Sequence, residues 1–189
     1  ALVPALLIWQ RHRVSARAAW GGLAACLLVV AVVVAPFAVA SPSGTWELVQ
    51  YHLDRPLQIE STGGAYLLGL HALADIPITI ENSFGSQGLD GTGPAVIAGI
   101  STAVLIGLLC AILWSLWIGL RRARPPGDAR LFVAACAATI VALLVAGKVL
   151  SPQFLIWLLP VAFLVAGRYG PAAFAIAAAA MLLTLAYFP

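Results

Sequence analysis

Two stretches of this chain carry side chains that could do chemistry together. The first, Tyr51-His52-Leu53-Asp54-Arg55-Pro56-Leu57-Gln58-Ile59-Glu60-Ser61, holds a base candidate (His52), carboxylates (Asp54, Glu60), a guanidinium (Arg55) and an amide (Gln58). The second, Lys148-Val149-Leu150-Ser151-Pro152-Gln153, contains the only lysine among ten basic residues. Arg grips a phosphate bidentately, and Lys adds a point charge. Ser151-Pro152 has the form of a helix start, with Ser at the N-cap and Pro at the first helical position. A cation beside the free N–H groups of a helix N-terminus suits an anionic head group such as a phosphate. Each stretch also has a plain reading. Lys148 can be a snorkelling lysine in an ordinary turn between spans. The first stretch can be a solvated loop in which Asp54 caps a helix and Arg55 pairs with Glu60. Asp54-Arg55-Pro56 reads as a second helix start, which would put Gln58 with Ser61, and Leu57 with Glu60, on shared faces.

The elements that must position these residues are membrane helices. The chain is 62% hydrophobic and 9% charged, against about 25% charged in a soluble domain. Several apolar runs approach the roughly 20 residues a crossing needs, which makes this an all-α integral membrane protein, a multi-span helical bundle. The runs are continuous rather than alternating, so strands are not expected. Spans are expected at residues 18–40, 94–120, 131–147, 154–167 and 171–188, with the tail of a truncated helix over 1–9. Residues 41–93 form a long outer loop, in which the short apolar run 65–74 reads as a re-entrant or interfacial helix. The opening run neither spans nor has the form of a signal peptide, and on this reading the chain is the C-terminal part of something longer. The glycine-rich run 85–93 matches no P-loop and follows no expected strand, so it reads as a flexible loop into the next span rather than an anion cradle.

Charge orients the chain. Arg11, Arg13, Arg17, Arg121, Arg122, Arg124, Arg130 and Arg168 fall in three loops on one side, cytoplasmic under the positive-inside rule. Arg55 and Lys148 fall on the other side, with Glu47, Asp54, Glu60, Asp75, Glu81 and Asp90. The net charge of +3 thus reflects cytoplasmic arginines and does not imply nucleic acid. Cys26, Cys110 and Cys136 lie in apolar runs without metal-ligand spacing, so no disulfide framework, metal or cofactor is expected. Trp20, Trp46, Trp114, Trp117, Trp157 and Tyr187 sit near the ends of spans, as interface anchors do. Arg outnumbers Lys nine to one in an Ala-rich chain, which points to a GC-rich bacterial source and a bacterial plasma membrane.

The stretch Arg55-Pro56-Leu57-Gln58-Ile59-Glu60-Ser61, together with residues 148–160 (Lys148 to Pro160), resembles glycosyltransferase family 87. These are bacterial multi-span enzymes of the GT-C class that use a polyprenyl-phosphate-linked sugar, often mannose, as donor. Gly85-Ser86-Gln87-Gly88 is compatible with the resemblance, which covers the C-terminal half of such an enzyme. It implies a GT-C-like, partial fold and transfer outside the cytoplasm to a glycolipid or polysaccharide acceptor. It further implies that Arg55 and Lys148 hold donor phosphate, beside the helix starting at Ser151. Gln58, Glu60 and Gln153 would hold sugar hydroxyls, His52 would shuttle a proton or touch phosphate, and Tyr51 would belong to the same substrate site. The catalytic base of that class is an Asp in a first outer loop, onto which no acid of this chain maps. Two other classes compete. A transporter or lipid flippase needs charge near the bilayer midplane, and residues 18–40, 94–120 and 131–147 carry none. A non-catalytic scaffold explains the spans but not the two polar clusters.

Overall fold

Inside a bilayer a backbone has no water to bond to, so a single apolar segment satisfies its amides only by coiling into a helix. The computed structural model describes residues 2–123, 127–160 and 169–187, and most of them are helical. In chain order the elements are α1 (Leu2–Arg13), α2 (Ala16–Ala40), α3 (Pro42–Asp54), β1 (Leu57–Gln58), α4 (Thr62–Ala74), β2 (Thr79–Ser83), β3 (Ser86–Asp90), α5 (Thr92–Arg122), α6 (Gly127–Ala146), a 3-10 helix (Pro152–Trp157) and α7 (Gly170–Tyr187). Three of these, α2, α5 and α6, are long and apolar enough to cross a membrane. From Leu27 to Phe37 the side chains of α2 are exposed all round the helix, with Leu28 64%, Val32 65% and Phe37 68% exposed, a surface that lipid rather than water can solvate.

The expected spans 18–40, 94–120 and 131–147 coincide with α2, α5 and α6 to within four residues at each end. The expected truncated helix over 1–9 runs on to Arg13, so the connection to α2 is only Val14-Ser15. There Ser15 caps α2 by accepting from the Ala18 N–H at 3.1 Å. Residues 171–188 correspond to α7. Of the expected span 154–167, the first part is 3-10 helix to Trp157 and residues 158–160 are α-helical. Residues 161–167, with Arg124, Arg168 and Phe188, lie outside the described residues.

Residues 41–93 depart from expectation. It contains a three-stranded antiparallel sheet of order β1-β3-β2, where no strand was expected. Membrane-crossing strands announce themselves by long alternation; these strands are at most five residues and are closed by turn geometry instead. Phe84 and Gly85 both have positive φ, 53° and 66°, as a two-residue type I′ hairpin requires. Ser83 faces Ser86 across that turn. The glycine-rich run is therefore the hairpin and its central strand, not a flexible loop. The expected helix start at Pro56 is likewise a strand start. Residue Arg55 is held extended (φ −53°, ψ 129°), the conformation that a following proline imposes, so Gln58/Ser61 and Leu57/Glu60 do not share helix faces.

The expected interfacial helix is α4, 13 residues, roughly 20 Å at 1.5 Å per residue and too short to cross. It docks through glycine. A Cβ on Gly64 would lie 2.2 Å from the Gln58 carbonyl oxygen. On the other side of β1, a Cβ on Gly88 would lie 2.4 Å from Pro56 Cγ. Leu57, Leu67 and Leu89 form the core between sheet, α4 and α5, with Ile97 and Ala98 packed on it. A second core (Ala5, Leu116, Leu120, Ala135) joins α1, α5 and α6 at the far end of the bundle.

Candidate functional site

The two polar stretches meet main chain to main chain. Leaving α6, residues 148–150 run past β1, and the Gln58 N–H donates to the Lys148 carbonyl at 3.0 Å. In return the Lys148 ammonium donates to the Leu53 carbonyl at 2.7 Å. Segments about ninety residues apart are thus held in one register by two hydrogen bonds with a sequence separation of 90 and 95.

Around this junction lies a cavity of about 580 Å³. Its walls are Leu53 to Leu57 from the α3–β1 corner, Leu89 to Gly91 from the end of β3, Lys148, and one stripe of α5. That stripe is Ala95, Ala98, Gly99 and Thr102: small side chains at i, i+3, i+4 and i+7, a single helix face. Two cations (Arg55, Lys148) and two carboxylates (Asp54, Asp90) share the space. Arg55 is anchored, its Nη2 donating to Ser86 Oγ at 3.0 Å and its guanidinium 5.8 Å from the centre of the Tyr51 ring. Burial pushes the Lys148 ammonium below its usual pKa, Asp54 opposes that by favouring the charged form, and Arg55 adds a smaller push downward. The set can accept an anionic group on the cations while the carboxylates receive hydroxyl hydrogens.

The remaining site candidates take other places. Tyr51 points at the hairpin, its hydroxyl donating to the Phe84 carbonyl and its ring edge-on to Phe84 at 5.1 Å. This clamps a turn in which a bulky residue holds a positive φ, a conformation that costs energy outside glycine. His52 is exposed and touches the edge of the Tyr51 ring, centroids 5.4 Å apart. Gln58 is 5% exposed and lies behind the cavity wall, with Oε1 lacking a hydrogen-bond partner among the described residues. Glu60 has one buried carboxylate oxygen in the same condition. Neither lines the cavity, nor do Ser151 and Gln153. Ser151 stands at the N-cap of the 3-10 helix, but its hydroxyl makes no cap bond. In a 3-10 helix i and i+3 eclipse, so Trp157 stacks on Phe154 at 4.6 Å rather than sharing a face with Gln153. The expected Arg55–Glu60 pair is not formed; Arg55 is turned to Ser86.

Ser61 does not share a helix face with Gln58; its role is structural. It is fully buried, donates to the Gln58 carbonyl at 2.7 Å and accepts from the Gly64 N–H at 3.1 Å. Asp90 and the small face of α5 complete the cavity wall. The i, i+3, i+4, i+7 spacing of small residues in α5 was the available signal. Beyond Lys148, Leu150 turns into a separate apolar groove of about 440 Å³, lined by Leu155, Leu158 and faces of α6 and α7. Comparison with known proteins gives no match: no family model, curated sequence or solved structure is similar to this chain.

Proposed function

We propose that this chain is part of a membrane glycosyltransferase of GT-C type. It would move a sugar, mannose in the first instance, from a polyprenyl-phosphate donor to a glycolipid or glycan acceptor. The observation that carries the reading is the junction itself: Arg55 and Lys148, from stretches far apart in the chain, line one cavity. The leaving group in such a reaction is a lipid phosphate, and fixed cations in a low-dielectric cleft stabilise the negative charge that develops on it. In this reading Arg55 and Lys148 take the phosphate, and Asp54 and Asp90 accept hydrogens from sugar hydroxyls. Gln58 acts through its main chain by holding Lys148. The apolar groove that begins two residues after Lys148, at Leu150, suits the polyprenyl chain. Proton removal from the acceptor hydroxyl belongs to a general base that the reading assigns to no residue of this chain. With the basic loops cytoplasmic, the cavity faces the extracytoplasmic side.

The test is binding of a radiolabelled polyprenyl-phosphate mannose to purified protein in lipid nanodiscs. Arg55→Ala and Lys148→Ala are each expected to weaken it, and free polyprenyl phosphate to compete. Unchanged affinity in both variants would remove the basis of the reading.

A further inference from the structure

The opposite end of α5 carries a second cavity, about 530 Å³, lined by Ile8, Arg11, His12, Trp117, Leu120 and Arg121. It lies between the last turn of α1 and the last turn of α5. Cations at helix C-termini are common because they complement the dipole, so their presence alone says little. Their surroundings say more. Arg17, Arg122 and Arg130 stand at the same end of the helices as Arg11, Arg13 and Arg121, and Asp128 is the one carboxylate among the described residues there. Asp128 is already engaged: it is 2% exposed, paired with Arg13 at 3.2 Å and bonded to the Ala129 N–H at 2.9 Å. Arg11 and Arg121 therefore reach the cavity without a carboxylate. The Arg121 guanidinium carbon stands 3.7 Å from the centroid of the Trp117 ring, a cation–π contact that holds the group over the ring without using its N–H donors on a carboxylate. The floor is apolar, with Leu120 buried in the α1–α5–α6 core. An aromatic track leads away from it along α5, Trp117 to Trp114 at 5.0 Å, with Trp114 60% exposed.

We propose that this cleft binds the head group of an anionic phospholipid, with phosphate between Arg11 and Arg121 and an acyl chain along Trp117 and Trp114. Guanidinium groups bind a phosphate diester in two-point fashion. Basic residues at the membrane surface attract anionic lipid, and tryptophan prefers the head-group level. A free phosphate would use the cations but not the apolar floor or the aromatic track, which is why the lipid is the occupant chosen.

Native mass spectrometry of the purified chain, with phosphatidylglycerol, phosphatidylcholine or inorganic phosphate added, tests this. Phosphatidylglycerol adducts are expected to exceed phosphatidylcholine adducts by about tenfold, since each cation near the surface adds to the attraction. The preference is expected to vanish in Arg11→Gln/Arg121→Gln and to persist in Arg17→Gln, whose side chain lies outside the cleft. Arg11→Gln alone, which leaves the Arg121–Trp117 stack in place, is expected to lose most of it. Equal binding of both lipids, retention of the preference in the double and Arg11→Gln variants, or equal loss in Arg17→Gln would overturn the proposal. So would displacement of phosphatidylglycerol by millimolar inorganic phosphate, which would make this a site for the free ion.

Discussion

Cations gather at both ends of helix α5, 31 residues and about 46 Å long at 1.5 Å per residue, and the fold treats them in opposite ways. At its N-terminal end Arg55 and Lys148 are tied down by a serine hydroxyl and a backbone carbonyl and share their cavity with Asp54 and Asp90. The cavity there is assembled from α3, the sheet, α5 and the run after α6, and main-chain hydrogen bonds between distant segments set its shape. At the C-terminal end Arg11 and Arg121 project from two helix termini, and the local carboxylate is spent on Arg13. The first arrangement pre-organises charge for one geometry; the second leaves charge available at a surface. Stability and binding should therefore respond at one end to small changes in backbone packing, and at the other only to loss of charge.

The strongest way to break this contrast is Gly64→Ala. A methyl there meets a carbonyl oxygen at 2.2 Å, main chain that cannot swing aside, so a loss of about 3 kcal/mol is expected, the upper end of overpacking costs. Hydrogen exchange should show β1, β3 and the start of α4 losing protection while the end of α5 keeps it. Uniform loss along the bundle would mean that the two ends are not independent. Next comes Lys148→Ala, expected to weaken an anionic donor by roughly ten- to a hundredfold, the worth of one charge-assisted hydrogen bond, read by equilibrium binding.

Ser61→Ala removes a buried N-cap and its bond to Gln58. It should cost about 1–2 kcal/mol in a thermal or denaturant melt and slacken the same end of the molecule. Tyr51→Phe deletes the clamp on the hairpin and should cost about 1 kcal/mol, seen as faster exchange in β2 and β3. The smallest effect sharpens the electrostatics. Asp54 holds the Lys148 ammonium in its charged form against burial. Asp54→Asn should therefore move the alkaline loss of anion binding to lower pH than in the unsubstituted protein, measured as affinity against pH. A shift to higher pH would reverse the assigned role of Asp54. On stability the sign is opposite: a lysine whose pKa falls on folding destabilises while charged, so its cost is present below the folded pKa and fades as pH rises toward the unfolded value.

Much of the helical framework was legible because a long apolar run has one structural solution in lipid. The ends of α2, α5 and α6 follow from where Ser15, Gly91 and the arginines interrupt those runs. Loop 41–93 was harder. Asp54-Arg55-Pro56 has the form of a helix start in sequence, and only pairing with β3 through Leu57 and Gln58 makes it the start of a strand. The hairpin turn is Phe84-Gly85 rather than the usual Asn-Gly or Asp-Gly signal, so β2 and β3 carry no hairpin signature in the sequence. Among the site candidates, Arg55 and Lys148 line one cavity. Gln58 and Tyr51 are instead the residues that build it, because a buried amide and a clamped turn look no different in sequence from a ligand-binding pair.

By itself the sequence determined the class of solvent, the long helices and the segregation of charge, since these depend on local composition and on the cost of taking charge and bare amides into hydrocarbon. Tertiary structure alone decided that residues 53–57, 89–91, one face of α5 (Ala95, Ala98, Gly99 and Thr102) and Lys148 line one cavity. The close approach of Gly88 to Pro56, and the hydrogen bonds that join Lys148 to Gln58 and to Leu53, are contacts between segments whose separation along the chain carries no trace of their distance in space.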